Sequence, residues 1–126
     1  MGGRLAAIVA EIGTCKVYAS TLKLNKSAPL DGPITLSCDL ASLKDQDVLI
    51  VDDVLNSGKT LMYAVHHILS SGPKRISTAV LIDRIHRSFP VRADFCGLSL
   101  STNLKEHIEV QLAQNPSPTD EAVLHD

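Results

Sequence analysis

The chain has little of what marks secreted or membrane-spanning proteins. Its three cysteines, Cys15, Cys38 and Cys96, form no C-x-x-C pair, so neither a disulfide framework nor a thiolate zinc site is indicated. No stretch approaches the ~18 consecutive apolar residues of a membrane span, and the N-terminus lacks the apolar core of a signal peptide. These absences favour a soluble protein of the reducing cytoplasm.

An excess of charge of one sign is also missing. Twelve Lys and Arg residues stand against fourteen Asp and Glu residues, which gives a formal net charge of −2. Because no basic surplus exists, the chain is poorly suited to hold a nucleic-acid backbone by releasing counterions. Residues 113–126 carry Asp120, Glu121 and Asp126 without any Lys or Arg, so the remainder of the chain is close to neutral.

What is present is the pattern of one α/β domain in 126 residues, 44% of them hydrophobic. Apolar residues at helical spacing predict a helix over residues 3–12. The continuous apolar run VLIV, residues 48–51, predicts a strand buried on both faces and central in a parallel sheet. A helix over residues 59–70 and a strand over residues 75–83 would complete a β-α-β unit. Shorter strands are predicted at 16–24, 34–38, 93–100 and 108–112, so the domain covers residues 1–112 and a flexible tail covers 113–126.

The most informative stretch is VLIVDDVLNSGKT, residues 48–60. A buried strand delivers Asp52 and Asp53 to the sheet edge where open α/β folds bind ligands. The turn that follows suits a phosphate, because Gly58 lets the backbone approach and the first N–H groups of a helix are unpaired. Adjacent carboxylates can accept hydrogen bonds from sugar hydroxyls and attract hydrated Mg²⁺. The stretch therefore predicts a ribose 5-phosphate site, against the alternative that the aspartates cap the helix.

Two other readings of local motifs are rejected. The GKT triplet is not a Walker A loop, because Asp53 stands where that motif requires its first glycine. His66 and His67 are adjacent and lie on different faces of a helix, unlike zinc ligands spaced four residues apart. Whether His86 and Arg87 are functional or simply solvated stays open.

The thirteen-residue stretch resembles the phosphoribosyl pyrophosphate (PRPP) signature of type I phosphoribosyltransferases. The segment AVLIDRIHRSFPVRADFCGLSLST, residues 79–102, resembles the base-binding segment of the bifunctional pyrimidine operon regulator and uracil phosphoribosyltransferase group. Together the resemblance covers most of residues 2–112. It implies a Rossmann-like type I phosphoribosyltransferase fold, with a mainly parallel sheet flanked by helices, and assembly into dimers or larger homo-oligomers.

The resemblance also implies an activity and a site. The protein would be a Mg²⁺-dependent pentosyltransferase that joins PRPP to a nucleobase, with uracil or another pyrimidine favoured, to give a nucleoside monophosphate. Asp52 and Asp53 would be the catalytic pair, holding the ribose hydroxyls partly through metal-bound water, and residues 25–37 would form a lid. The implied 5-phosphate residues are Asn56, Ser57, Gly58, Lys59 and Thr60; the pyrophosphate residues are Gly2, Gly3 and Arg4; the base residues are Arg84, Asp94 and Phe95.

The sequence departs from the family pattern in three places. The strand and helix that normally precede the pyrophosphate loop are absent, so an N-terminal element is expected to be missing. The lid lacks the Arg-Asp-Asp run of the uracil-type regulators. Asn56 replaces the Asp that purine enzymes usually carry, which disfavours hypoxanthine and guanine. Two other functions stay open: a nucleotide-sensing, RNA-binding regulator of pyrimidine genes, which the low basic content disfavours, and a nucleotide-binding domain without turnover.

Overall fold

A computed structural model describes residues 2–13, 15–101, 106–112 and 120–125. The helices are α1, Gly2–Ile12, a short 3-10 helix, Leu40–Leu43, and α2, Lys59–Leu69. The strands are β1, Leu22–Lys23; β2, Thr35–Leu36; β3, Asp47–Leu55; β4, Arg75–Asp83; β5, Phe95–Ser99; β6, His107–Gln111; and β7, Glu121–His125.

The largest sheet is parallel and has the strand order β3-β4-β5. Helix α2 connects β3 to β4, and it buries Leu61, Ala64 and Ile68, which recur on one helix face. Leu61 packs with Leu55 of β3 and Val80 of β4 in the main cluster of buried residues. The predicted α/β class, a parallel sheet with flanking helices, is confirmed.

The central strand of this sheet is β4, so the prediction that residues 48–51 form the central strand is wrong for the described sheet. β4 pairs with β3 on one side and with β5 on the other, whereas β3 pairs with β4 alone among the described strands. Leu49 of β3 is 42% exposed, while Thr78 of β4 is buried. Partners from the loop before β5 satisfy the Thr78 hydroxyl, so a polar residue is tolerated at the centre of the sheet.

The long elements match their predicted ranges, and the strands predicted at 93–100 and 108–112 are confirmed as β5 and β6, whereas the first two short strands do not match. Helix α1 and strand β4 confirm the predictions over 3–12 and 75–83, and α2 ends one residue before the predicted range. β3 continues beyond residue 51 because Asp52 and Val54 still pair with β4. The predicted strands at 16–24 and 34–38 shrink to β1 and β2, which form a two-residue antiparallel pair.

Strand β7 occupies part of the predicted flexible tail. Residues 113–119 and 126 of that tail lie outside the described residues, but Glu121–His125 pair antiparallel with β6. Ile108 of β6 stands opposite Leu124 and is 5% exposed. Apolar side chains that meet across two strands favour pairing, so the tail prediction is wrong for residues 121–125.

Helix α1 lies at the surface. None of its residues is buried, and Ile8 and Ile12 are both exposed. Arg4 in its first turn forms an ion pair with Asp120, next to β7. Across the ranges that the structure describes, no helix has the length and apolar character needed to cross a membrane.

Candidate active site

A cavity of about 380 Å³ lies at the carboxyl end of β3. Asp52 and Asp53 line it together with the whole turn of residues 56–60. Residues 107–110 of β6 line it as well, and Lys26 reaches it from the loop after β1. The structure thus brings the two predicted halves of the motif, the acid pair and the phosphate turn, into one cavity.

The acid pair belongs to β3 and does not cap α2. The Asp52 carboxylate accepts a hydrogen bond from the Asp53 N–H at 3.0 Å, and the Asp53 carboxylate accepts one from the Val54 N–H at 2.8 Å. The N-cap of α2 is Gly58, and no side chain caps it. The alternative in which these aspartates serve as helix caps therefore does not describe this fold.

The two carboxylates have different surroundings. The Asp52 side chain is 21% exposed and that of Asp53 is 46% exposed. Burial raises the pKa of the Asp52 carboxyl above its ordinary value; the attraction of Lys26 opposes this shift, and the neighbouring Asp53 adds to it. A nearby cation therefore stabilises the ionised form of Asp52 more than that of Asp53.

Lys26 is a site residue that the sequence did not single out. Its Nζ lies 3.2 Å from Asp52 Oδ1 and 4.0 Å from Asp53 Oδ1. The resemblance places residue 26 within a lid, but only the folded chain shows that its ammonium reaches the acid pair. One signal was available: Lys26 is the one cation of the lid segment, residues 25–37.

The phosphate turn has a backbone geometry that favours glycine. Gly58 has φ of +85°, in the left-handed region, and its carbonyl accepts the first α2 hydrogen bond, from the Met62 N–H. The Ser57 hydroxyl accepts a hydrogen bond from the Lys59 N–H at 3.3 Å. Gly58 itself offers no side-chain cap to the other N–H groups of the first turn of α2, and residues 58–61 line the cavity, an arrangement typical of anion-binding helix ends.

Residues 88–91 support this turn from behind. The Ser57 carbonyl accepts hydrogen bonds from the N–H groups of Ser88, at 2.9 Å, and Phe89, at 3.1 Å. A Cβ atom at Gly58 would lie 2.6 Å from Val91 Cγ1. The segment that resembles a base-binding region therefore also fixes the shape of the phosphate turn.

Arg84 does not line the cavity, but it forms hydrogen bonds with residues at its wall. Its guanidinium donates from Nη1 to Asn56 Oδ1 at 2.8 Å and from Nη2 to the Glu106 carbonyl at 2.5 Å. Its backbone N–H donates to the Leu55 carbonyl at 3.1 Å. The residue is only 8% exposed, so it connects the end of β4 with the turn and with the start of β6.

The other two predicted base residues do not line this cavity. The Asp94 carboxylate accepts hydrogen bonds from the Thr78 N–H at 2.8 Å and from the Thr78 hydroxyl at 3.2 Å. Phe95 is 63% exposed and lines a separate groove of about 300 Å³ with Leu49 and Ser77. The structure therefore does not bring Asp94 and Phe95 to the acid pair, and their role at the base stays a prediction.

The predicted pyrophosphate residues also lie outside the lining of the cavity. Gly2 and Gly3 open α1, and nothing lies within 4 Å of a Cβ built on either. Arg4 donates two hydrogen bonds to the Asp120 carboxylate, at 2.9 and 3.1 Å. These bonds and the charge of Asp120 raise the pKa of Arg4 above its ordinary value.

The donor set of the cavity fits a magnesium ion that also binds substrate. Asp52 and Asp53 offer carboxylate oxygens, the ligands that Mg²⁺ prefers. Over the described ranges, no three His, Cys, Asp or Glu residues are grouped so that they could hold a metal by themselves. Mg²⁺ commonly keeps several waters and takes only one or two carboxylates plus substrate phosphates, so this pair is sufficient.

Comparison with known proteins decides the family. The model of the phosphoribosyl transferase domain matches residues 3–115. The chain belongs to this family. A relative named bifunctional protein PyrR, from Chloroflexus aurantiacus, is 37% identical over 131 aligned positions, which cover 96% of this chain and 70% of the relative. Another of that name, from Streptococcus suis, is 47% identical over 75 positions, which cover 59% of this chain and 43% of the relative.

Solved structures of phosphoribosyltransferases share the fold. A hypoxanthine phosphoribosyltransferase mutant from Trypanosoma cruzi, complexed with IMP, matches 79% of this chain and 50% of its own, with a TM-score of 0.66 and 21% identity. A hypoxanthine-guanine phosphoribosyltransferase from Bacillus anthracis matches 79% of this chain and 59% of its own, with a TM-score of 0.62 and 20% identity. The chain thus spans between about half and 60% of the length of these two structures.

Proposed function

We propose that the protein is a Mg²⁺-dependent phosphoribosyltransferase that joins PRPP to uracil or another pyrimidine, releasing pyrophosphate and a nucleoside 5′-monophosphate. The observation that carries this proposal is the shared cavity of the acid pair and the phosphate turn. One end of that cavity suits a sugar diol and the other suits a phosphate, which is the arrangement a ribose 5-phosphate requires. Family membership supports the reaction class.

In this proposal the turn binds the 5-phosphate. Backbone N–H groups at the start of α2 and the hydroxyls of Ser57 and Thr60 donate to its oxygens, and Lys59 adds a positive charge. Asp52 and Asp53 accept hydrogen bonds from the ribose hydroxyls. Residues 107–110 of β6 line the same cavity and would limit the access of water.

The chemistry is a displacement at the anomeric carbon of the ribose. The bond from that carbon to the pyrophosphate oxygen breaks, the oxygen leaves with the electron pair, and a ring nitrogen of the base forms the new bond while its proton passes to water or to the departing pyrophosphate. Positive charge grows on the ribose in the transition state, and the carboxylates of β3 stabilise it electrostatically. A bound Mg²⁺ would neutralise the leaving pyrophosphate. The protein needs no nucleophile of its own, since its residues position the two reactants.

The pyrimidine preference rests on position 56. Purine enzymes of this fold usually carry a carboxylate at that position, whereas Asn56 is a neutral amide. Its carbonyl oxygen is already held by Arg84, so it is not available as a proton acceptor for a purine ring. The segment of residues 79–102, which resembles the base-binding segment of the pyrimidine operon regulator and uracil phosphoribosyltransferase group, agrees with a pyrimidine. The solved purine enzymes are too distant in sequence to bear on the base.

A second function is an RNA-binding regulator that senses nucleotide through the same cavity. The resemblance of residues 79–102 to the pyrimidine operon regulator group favours it, while the net charge of −2 counts against it. A salt-dependent RNA titration tests this function, and no measurable affinity at low salt would dismiss it. We further propose that the protein is cytoplasmic and that it forms a homo-oligomer. Sedimentation can test the oligomeric state.

Pyrophosphate release with PRPP, Mg²⁺ and a panel of bases tests the first function. We expect turnover with uracil and little with guanine or hypoxanthine, and we expect PRPP and UMP to raise the melting temperature by mass action. The variant Asp53→Asn should lose turnover more than it loses stability, because its side chain is half exposed. Absence of both turnover and any thermal response to PRPP would contradict the proposal.

A further inference from the structure

The loop after β1 presents a cation to the acid pair. The Asn25 side chain accepts hydrogen bonds from the N–H groups of Ser27, at 3.1 Å, and Ala28, at 3.2 Å. Pro29 of the same loop is buried. These contacts shape the loop around Lys26, whose ammonium lies 3.2 Å from the Asp52 carboxylate. The ion pair is therefore built on a defined turn.

We propose that Lys26 competes with a divalent cation for Asp52 and Asp53, and that cation binding releases the loop of residues 25–33. The inference rests on the proposed function only in taking a divalent cation as the partner of the acid pair. It goes further by giving a role to Lys26, which the sequence motifs do not single out. Lys26 would be the internal counter-ion of the acid pair whenever no divalent cation is bound.

Competition follows from the geometry of the acid pair. Lys26 Nζ forms an ion pair with Oδ1 of Asp52 and lies 4.0 Å from Oδ1 of Asp53, so one ammonium is the counter-ion of both carboxylates. Mg²⁺ approaches a carboxylate oxygen to about 2.0–2.1 Å and fixes its octahedral geometry closely. Two cations on the same oxygens would repel each other, so one has to leave.

The exposure of the groups decides which cation leaves. The Lys26 side chain is 63% exposed, so water replaces its partner at low cost, whereas the Asp52 side chain is 21% exposed and depends on a counter-ion. A divalent ion supplies more charge to Asp52 than an ammonium does. Lys26 therefore lowers the metal affinity of the site without preventing metal binding.

A titration with Mn²⁺ alone, followed by water-proton relaxation, tests the competition. The comparison uses the wild type, Lys26→Met, Lys26→Arg and the control Lys23→Met, which removes an exposed lysine that does not line the cavity. We expect Lys26→Met to bind Mn²⁺ about two- to fivefold more tightly, the factor that corresponds to one exposed ion pair. Lys26→Arg and Lys23→Met should match the wild type.

Tryptic cleavage after residue 26 tests the release of the loop. Mn²⁺ should accelerate this cleavage in the wild type and leave cleavage after Lys23 unchanged. Equal or weaker Mn²⁺ affinity in Lys26→Met, or cleavage that does not respond to Mn²⁺, overturns the inference even if PRPP turnover is found. Tighter Mn²⁺ binding in Lys26→Met without any PRPP turnover supports it and contradicts only the proposed function.

Discussion

Arg84 holds Asn56, the first residue of the phosphate turn, through a 2.8 Å hydrogen bond from its guanidinium to the amide oxygen. The same guanidinium donates to the carbonyl of Glu106, the residue before β6. One nearly buried charge thus fixes the turn relative to a second wall of the cavity. Both acceptors are polar groups that would need another donor if Arg84 were replaced.

The first prediction concerns Arg84→Met. The substitution keeps much of the side-chain length but removes every donor, and hydrogen bonds from a charged group contribute about 1.5–3 kcal/mol each to the free energy of unfolding. We expect a loss of roughly that size for the variant in urea unfolding, and weaker PRPP binding in calorimetry. Arg92→Met, at an exposed arginine, is the control and should change stability by less than about 0.5 kcal/mol. Native PRPP affinity in a destabilised Arg84→Met would argue against the positioning role.

The second prediction concerns Gly58→Ala. An alanine there has to adopt a left-handed φ, which costs about 1–2 kcal/mol, and its Cβ would lie 2.6 Å from Val91 Cγ1. Gly72→Ala is the matched control, because Gly72 has φ of +70° with nothing within 4 Å of the added Cβ. We expect Gly58→Ala to destabilise more than Gly72→Ala in thermal unfolding. Val91→Ala should recover part of the difference in the double variant, and no recovery would show that the contact is unimportant.

The parts of the fold that the sequence predicts well are those that local chemistry decides. Strand β4 and helix α2 are long enough for their apolar periods to be clear. The turn at Gly58 is decided by a backbone conformation that few other residues adopt at low cost. For these reasons the sequence alone predicts that the acid pair and the phosphate turn lie at one sheet edge.

The parts that the sequence predicts badly depend on distant partners. β4 tolerates the polar Thr78 in its central position because the Asp94 carboxylate and the Arg92 carbonyl, 16 and 14 residues further along the chain, accept its hydrogen bonds. The pairing of β7 with β6 depends on cross-strand contacts such as that of Leu124 with Ile108. Lys26 belongs to the site only because its loop folds back onto β3. No local sequence pattern predicts these contacts.

The third prediction is a pH dependence that comes from Asp52. Burial raises its pKa in the folded state, so its contribution to stability is fully present below the unfolded pKa of about 3.9 and is lost as pH rises through the folded value. In metal-free buffer, Asp52→Asn should therefore be more stable than the wild type at neutral pH, and this gain should shrink as the pH falls. Urea unfolding across pH measures the difference. A pH-independent difference, or a neutral-pH loss in Asp52→Asn, would contradict the sign.

The fourth prediction separates a structural from a base-binding role for Asp94. Its carboxylate accepts the Thr78 N–H and hydroxyl, so it replaces ladder hydrogen bonds just before β5 begins. Asp94→Ala leaves the Thr78 N–H without its acceptor, whereas the hydroxyl keeps the Arg92 carbonyl, and the variant should lower the free energy of unfolding by about 1–3 kcal/mol. In a double-mutant cycle with Thr78→Val, the losses of unfolding free energy should show an interaction energy of about 0.5–3 kcal/mol, since the two side chains share a hydrogen bond. Because Asp94 lies outside the lining of the cavity, the KM for uracil should stay close to that of the wild type; native stability with a large rise in KM would instead place Asp94 at the base.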